Sequence, residues 1–356
     1  MGNEDEDQDL TAALAEGMRQ AHDAKTPLYL IGGDTKPFWG RGVEGRRFSL
    51  LGHRGVIRYE PTELVLTARA GTPLVEIHRL LAAHGQWLPF EPPSFGSAAT
   101  LGGTIACGLS GPARPFLGAA RDFVLGVRVL DGRGQVLRFG GEVIKNVAGY
   151  DVARFLTGAQ GTLGALLEVS LKVHPKPPVS ETLARKESAE AAIQLLVELA
   201  AQPFPLTAAC HDGERLFLRF HGTEGALQAA TNRIGGDRLA DADSFWESVR
   251  EQTHPFFSEP GPLWRLSVPP ATLPLAPGRG ALFLDWGGAQ RWWKGLAEPA
   301  MVWNWAREKG GHAMLFDSGQ CHRQPIDPDL LSLHKRLKHS FDPEGILNPG
   351  RLYETL

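Results

Sequence analysis

Chemistry is legible first in three glycine-dense segments of the amino-terminal half. They are Gly32–Gly33–Asp34–Thr35–Lys36, the stretch Pro92 to Thr104, and Gly158–Ala159–Gln160–Gly161–Thr162–Leu163–Gly164–Ala165. Bare backbone with alternating hydroxyls suits phosphate, because glycine lets the chain approach closely and offers its N–H groups as donors. Taken singly, the first reads equally well as a plain turn and the third as a glycine-rich strand entry. Together, three such loops in one half suit a long dinucleotide better than a single phosphate. A Rossmann site would show G-x-G-x-x-G opening a helix with an acid about 20 residues on, and a Walker A loop would end in Gly-Lys-Ser/Thr. Neither pattern occurs.

The elements that must position these loops follow from periodicity. Leu10, Leu14, Met18 and Ala21 predict a helix over Leu10 to Ala24, and Leu28 to Ile31 a buried strand running into the first loop. Val56–Tyr59 and Leu64–Ala68 read as strands around a turn. Thr72 is expected to cap, and Pro73 to open, a helix bearing Leu74, Ile77 and Leu81. Between Pro92 and Gly118 periodicity fails, and an ordered loop is expected. Val127 to Phe139 reads as a hairpin about Asp131–Gly134, and Leu167 to Val173 as a half-buried strand.

Pro175, Pro177 and Pro178 then mark a boundary, giving segments 1–177, 178–325 and 326–356. The middle segment reads as a small α+β domain: helices over Ser188–Ala201 and Thr223–Ile234 flank a hairpin, Leu206–His211 with Arg215–His221. The last predicts a helix over Asp327–Ser340 carrying Leu330, Leu331, Leu333 and Leu337. Trp292, Trp293, Trp303 and Trp305 read as core filling or as a docking patch, core filling being the commoner use.

Composition narrows the classes. At 356 residues, with 42% apolar and 22% charged residues, the chain has an ordinary globular make-up. A net charge of -3 and the lack of a long basic run argue against a nucleic-acid partner. Cys107, Cys210 and Cys321 lie far apart with no C-x-x-C, which suits a reducing compartment and gives no support to an iron–sulfur or zinc site in this chain. The acidic, polar start lacks signal-peptide order, and no apolar run nears the roughly 20 residues of a spanning helix. The expectation is a cytoplasmic protein.

Five segments carry a family resemblance: Ile31–Lys36, Pro93–Thr104, Gly108–Pro115, Arg121–Gly126 and Gly141–Asp151, the last including Lys145, Asn146 and Tyr150. They resemble the FAD-binding domain of the PCMH-type, or vanillyl-alcohol-oxidase, flavoproteins, and within them the FAD-binding subunits of bacterial glycolate oxidases. Phe341–Pro343 and Asn348–Arg351 resemble the closing helix and tail. The resemblance implies an α+β fold: a PCMH-type FAD-binding domain of two subdomains over 1–177, a smaller α+β cap over 178–325, and a carboxy-terminal helix and tail over 326–356 that return to the FAD domain. It implies FAD as cofactor, a small 2-hydroxy acid as substrate, and partners comprising a second flavoprotein subunit and an iron–sulfur subunit, with any membrane attachment peripheral and through the complex.

Carried over by position, Gly32, Gly33, Asp34 and Thr35 would meet the pyrophosphate, with Lys36 beside them. Ser94, Thr100, Leu101, Gly102 and Gly103 would line the pyrophosphate and ribityl chain. Asp122 would lie near the flavin and Gly161, Thr162 and Leu163 at the adenine end, with Gly111, Pro112 and Arg121 also contacting the cofactor. Many family members attach FAD through a histidine in the first loop; this loop has none, so covalent attachment there is not expected. Lys145 and Tyr150 could contact flavin or a partner, or simply pack.

Oxidising a hydroxy acid needs a base and a cation besides the flavin. The sibling catalytic subunits carry an H-x-G-D-G-N motif, which is absent here. Arg265, for a carboxylate, and His312, as a base, are the candidates; His211, His221, His322, His334 and His339 read as ordinary histidines. No metal site is expected. Two readings stay open: a dehydrogenase in its own right, or a non-catalytic flavin subunit of a complex. A cell-wall-precursor type reductase shares the domain but would need NADPH, and the Gly141–Asp151 motif disfavours it.

Overall fold

The computed structural model describes residues 8–141, 150–274, 276–316 and 323–356. Through Pro175 the elements are α1 (Thr11–Asp23), β1 (Leu28–Ile31), β2 (Arg46–Ser49), β3 (Val56–Glu60), β4 (Val65–Arg69), α2 (Leu74–Ala82), β5 (Gln86–Trp87), α3 (Leu101–Cys107), α4 (Arg114–Leu117), α5 (Ala120–Phe123), β6 (Val124–Leu130), β7 (Val136–Gly140), α6 (Val152–Leu156), β8 (Ala165–Lys172) and β9 (His174–Pro175). The chain continues with β10 (Val179–Lys186), α7 (Ala189–Ala200), β11 (Leu206–His211), β12 (Arg215–Gly222), α8 (Glu224–Ile234), β13 (Asp237–Arg238), α9 (Ala242–Arg250), α10 (Pro255–Ser258), β14 (Leu263–Ser267), β15 (Ala281–Asp285), β16 (Gln290–Lys294), α11 (Pro299–Glu308), β17 (His312–Leu315) and α12 (Pro328–Phe341).

Strands segregate by sequence. A five-stranded antiparallel sheet, ordered β3-β4-β8-β6-β7, and the small parallel pair β1-β2 use the first half. An antiparallel eight-stranded sheet, β13-β10-β12-β11-β15-β16-β14-β17, uses the second. The expected hairpins all form, and β1 occupies the predicted residues. The central strand β8 buries Leu166, Val169 and Leu171 against α2 and α3, whose Leu74, Ile77, Leu81, Leu101 and Ile105 complete that core. Burying side chains of this size contributes about 1.5–3 kcal/mol each before chain entropy is counted.

The carboxy terminus returns to the first half. Leu337 and Phe341 of α12 pack on the five-stranded sheet's core, and Leu347 bridges in parallel to Leu28, so the tail extends the β1-β2 pair.

Three local expectations need correction. Thr72 does not cap α2, which starts at Leu74 after Pro73; its hydroxyl instead donates to Gly55 O and accepts from Gly55 N. The expected loop at Pro92–Gly118 contains the seven-residue α3, because Thr100 Oγ1 accepts the Gly103 N–H as an N-cap. On α12, Leu330 and Leu333 are exposed, and the buried side chain is that of Lys338. Trp292 and Trp293 are buried, as are Trp246, Trp264 and Trp286, so these tryptophans are core.

Candidate functional site

A cleft of about 790 Å³ opens between the β1-β2 pair, α3 and the carboxy-terminal tail. The three glycine segments converge there: Gly32 to Lys36, then Thr100, Gly102 and Gly103, then Gly161 and Gly164 all line it. Gly33 and Gly102 are required by close approach. A Cβ on Gly33 would stand 1.5 Å from Ala98 O, and one on Gly102 would stand 2.5 Å from Ala70 Cβ.

The first loop is held by its side chains. Asp34, at φ 51°, accepts a 2.8 Å hydrogen bond from the Tyr29 hydroxyl and lies 3.3 Å from Arg47. Thr35 Oγ1 and Lys36 Nζ both donate to Ser94 O, at 2.8 and 3.0 Å. Burial lowers the Lys36 pKa, against the pull of Cys107 and Glu251. Among the described residues, the backbone N–H groups of Gly33, Asp34, Thr35 and Lys36 donate no hydrogen bond. Four successive free donors around a cleft form a concave anion cradle. Gln160 Oε1, also on the cleft wall, is buried without a hydrogen-bond partner among those residues.

The tail supplies residues that sequence alone does not assign to the site. Asn348 accepts from Leu30 N at 2.8 Å and donates to Gln160 O at 2.6 Å, tying β1 to the third glycine loop. Arg351 donates to Arg41 O at 2.7 Å and its guanidinium lies 6.0 Å from the Tyr29 ring centroid. Both line the cleft, with Tyr29 and Cys107. The positive φ of Asn348, 42°, is the residue-level signal for such a stitch, and it has no sequence counterpart beyond an Asn-Pro-Gly turn.

Other expected site residues lie elsewhere. Ser94 does not line the cleft, because its N–H is taken by Glu251 and its carbonyl by Thr35 and Lys36. Leu101 is fully buried beneath the cleft in the core. Arg121 and Asp122 are exposed, and Asp122 accepts from Ala119 N at 2.8 Å. Thr162 and Leu163 border a separate cavity of about 600 Å³ with α6, α12 and the tail. Gly111, Pro112 and Arg265 border a second cavity of about 350 Å³ against the eight-stranded sheet. Phe95 and Leu109 border this cavity and Cys107 borders the cleft, so Cys107–Leu109 links the two, and Trp39 Nε1 donates to Cys107 O at 2.9 Å. His312 is exposed at the start of β17 and borders neither; desolvation and then Arg265, Arg323 and Arg114 lower its pKa.

Those arginines form a stack. The Arg265 guanidinium lies 5.3 Å from the Trp39 ring and 5.2 Å from the Trp286 ring, while Arg323 is 5.1 Å from Trp39 and Arg114 4.3 Å from Trp286. Burial first, then mutual repulsion with Arg114 and Arg323, lowers Arg265 to about 9. No group of three or more His, Cys, Asp or Glu side chains is placed to hold a metal among the described residues. Lys145, Asn146, Cys321 and His322 lie outside the described residues, whereas Tyr150 is almost fully exposed.

Residues 10–140 match the FAD binding domain family, and residues 309–352 match the carboxy-terminal domain of FAD linked oxidases. The chain is 47% identical to the glycolate oxidase subunit GlcE of Escherichia coli (strain K12) over 348 residues, 98% of this chain and 99% of that one. The chain belongs to the GlcE family. That family stands within the PCMH-type flavoproteins, and FAD is the cofactor of the domain that carries the cleft. Similarity to the glycolate oxidase subunit GlcD of Bacillus subtilis (strain 168) is partial: 33% identity over 168 residues, 46% of this chain and 36% of that one. In fold, this GlcE-family chain matches alkyldihydroxyacetonephosphate synthase with a TM-score of 0.67 at 14% identity, over 94% of this chain and 74% of that one. No helix among the described residues is long and apolar enough to cross a membrane.

Proposed function

We propose that this chain holds one FAD non-covalently in the 790 Å³ cleft and serves as the FAD-binding subunit of a glycolate, or 2-hydroxy-acid, oxidase. The observation that carries the reading is the row of unpaired N–H donors from Gly33 to Lys36, which can meet a pyrophosphate without breaking a hydrogen bond within the protein. Gly32 to Lys36 hold the diphosphate. Thr100, Gly102 and Gly103 border the adjoining chain, and Gly161 with Gln160 and Asn348 the far end. No histidine stands in the first loop, so no side chain there is suited to a covalent flavin link.

FAD, when bound, supplies the two-electron acceptor. The protein's part is to orient, exclude water and handle charge. Arg265, stacked between Trp39 and Trp286, is the cation for a substrate carboxylate. The division into an FAD-binding part (1–177), a cap (178–325) and a returning tail (326–356) agrees with the sheet memberships. As a subunit, the chain works beside a second flavoprotein subunit and an iron–sulfur subunit in the cytoplasm, reaching the membrane only peripherally through them.

A second reading, an accessory flavin subunit whose partner does the substrate chemistry, is favoured by the lack of an H-x-G-D-G-N motif in the sequence. Purified protein should be yellow, with the colour passing to the supernatant on acid precipitation; colour left in the pellet refutes non-covalent binding. Anaerobic glycolate should bleach the flavin of the isolated chain. An unchanged spectrum there, with bleaching restored by the full complex, selects the accessory reading.

A further inference from the structure

The cavity of about 350 Å³ holds more than Arg265. Strand register puts Arg265 opposite Trp292 and Asp285 opposite Gln290, so Arg265, Asp285, Gln290 and Trp292 share one face of the eight-stranded sheet. Gln290 joins the charged pair: its Oε1 accepts from Arg265 Nε at 2.7 Å, and its Nε2 points to Asp285 Oδ2 at 3.4 Å. Asp285 Oδ1 accepts the Trp286 N–H at 2.7 Å, and the Gln290 contact to Oδ2 is the longer of the two. Arg250, the other cation on the wall, is already tied to Glu251 and Glu247. Asp285 is thus the one acidic side chain lining this cavity among the described residues.

We propose that Asp285 is the catalytic residue that takes the substrate's hydroxyl proton, on a small 2-hydroxy acid whose carboxylate Arg265 holds. This rests on the function reading above and deepens it. Carboxylate and hydroxyl sit on adjacent carbons of such a substrate, so cation and base must share one small cavity, as Arg265 and Asp285 do. The O–H bond breaks and its proton passes to the Asp285 carboxylate. The C–H bond would break with its hydrogen and two electrons leaving together, and FAD, when bound, would supply the acceptor for them. The hydroxy acid would thereby become a 2-keto acid, with proton and electrons both accounted for.

Burial raises Asp285 to about 7, opposed by hydrogen bonds from Trp286 and Trp292 and by the Arg265 charge, and assisted by Glu91. A carboxyl so placed is ionised in part near neutral pH yet basic enough to accept a proton. The charged and titratable groups whose fields reach it are Arg265 on β14, Glu91 before α3 and Cys210 on β11, whose thiol burial pushes well above its ordinary range.

The test uses the FAD-loaded full chain, within its complex if isolation costs activity, mixed anaerobically with glycolate and followed by flavin absorbance. Wild-type reduction should rise with pH through a midpoint near 7. Asp285→Asn should keep its FAD and perturb its flavin spectrum with oxalate at wild-type affinity, yet be reduced about 100-fold or more slowly and without the acidic limb. Should Asp285→Asn fail to fold, it would show as loss of FAD, and then the wild-type profile decides alone: a flat rate from about pH 5.5 to 8 overturns the proposal. Reduction of the variant at wild-type rate also overturns it, leaving the function reading intact. A wild-type flavin that glycolate, lactate and 2-hydroxyglutarate all fail to bleach in the full complex as well as in the isolated chain overturns both.

Discussion

At the scale of single residues, function here depends on atoms that are missing as much as on those present. Gly33 has no room for a side chain, since a Cβ would overlap the carbonyl of Ala98 at 1.5 Å. Gly42, nearby on the same connection, would meet nothing within 4 Å. Gly33→Ala must therefore push the first loop away from the second and misdirect the N–H row, whereas Gly42→Ala leaves it alone. Overpacking of this kind costs about 1–3 kcal/mol, and the same displacement falls on the cofactor. Gly33→Ala should purify largely colourless and bind added FAD at least about 100-fold more weakly by fluorescence quenching. Gly42→Ala should retain wild-type flavin content, and equal flavin in both proteins would discount the cradle. The glycine loops are legible in composition because glycine is selected where backbone must touch ligand or backbone. Asp285 is not, since an acid at a strand end looks like any turn residue until Gln290 and Arg265 are folded beside it.

Elements show where pattern reading succeeds and fails. β1 matches its sequence signal residue for residue, because four apolar residues between a proline and a glycine pair leave few alternatives. β10 gives no such signal: Val179–Lys186 follows two prolines, shows no alternation, and is buried through Leu183 and Ala184 only because β12 and β13 flank it. For α12 the pattern finds the helix but not its buried face. Its leucines suggest an apolar stripe, yet the buried position is Lys338, whose Nζ donates to Thr162 O at 2.8 Å, Leu347 O at 2.6 Å and Asp342 Oδ2 at 2.7 Å. Three acceptors left by the third glycine loop and the tail need one donor with three protons, and lysine supplies it. Burial lowers the Lys338 pKa and Asp342 opposes that shift. Lys338→Met removes the cation while Asp342 stays buried, a change worth about 3–5 kcal/mol of stability. Urea unfolding should show it as a lower midpoint, with flavin released early because Asn348 and Arg351 share that tail. Leu333→Gln, on the exposed face of α12, should stay within about 0.5 kcal/mol of wild type in the isolated chain.

Across the whole molecule, the two halves are joined by polar ties that also frame the chemistry. Glu251 accepts from the N–H groups of Ser94 and Phe95, at 3.0 and 2.8 Å, so the second glycine loop is positioned by the cap side. Trp286 Nε1 donates to Gly111 O at 3.0 Å, and Arg323 to Trp39 O at 3.1 Å. Arg219 on β12 forms a buried ion pair with Glu91, 2.8 Å apart, while Glu91 Oε2 accepts from Ala113 N. This tie reaches the proposed base, because the Glu91 charge raises the Asp285 pKa. Glu91→Gln should therefore have two consequences of separate origin. Arg219 is left buried without its counter-charge, costing about 3–5 kcal/mol, measurable by chemical denaturation. With the neighbouring negative charge gone, ionised Asp285 is easier to form, so the acidic limb of flavin reduction should move to lower pH while the plateau rate changes little. A stability loss with an unmoved limb would mean that Glu91 only braces the halves, and a moved limb with intact stability that Arg219 has another partner. Both together would show that a contact joining the two halves also sets the proton affinity of the cavity against the eight-stranded sheet.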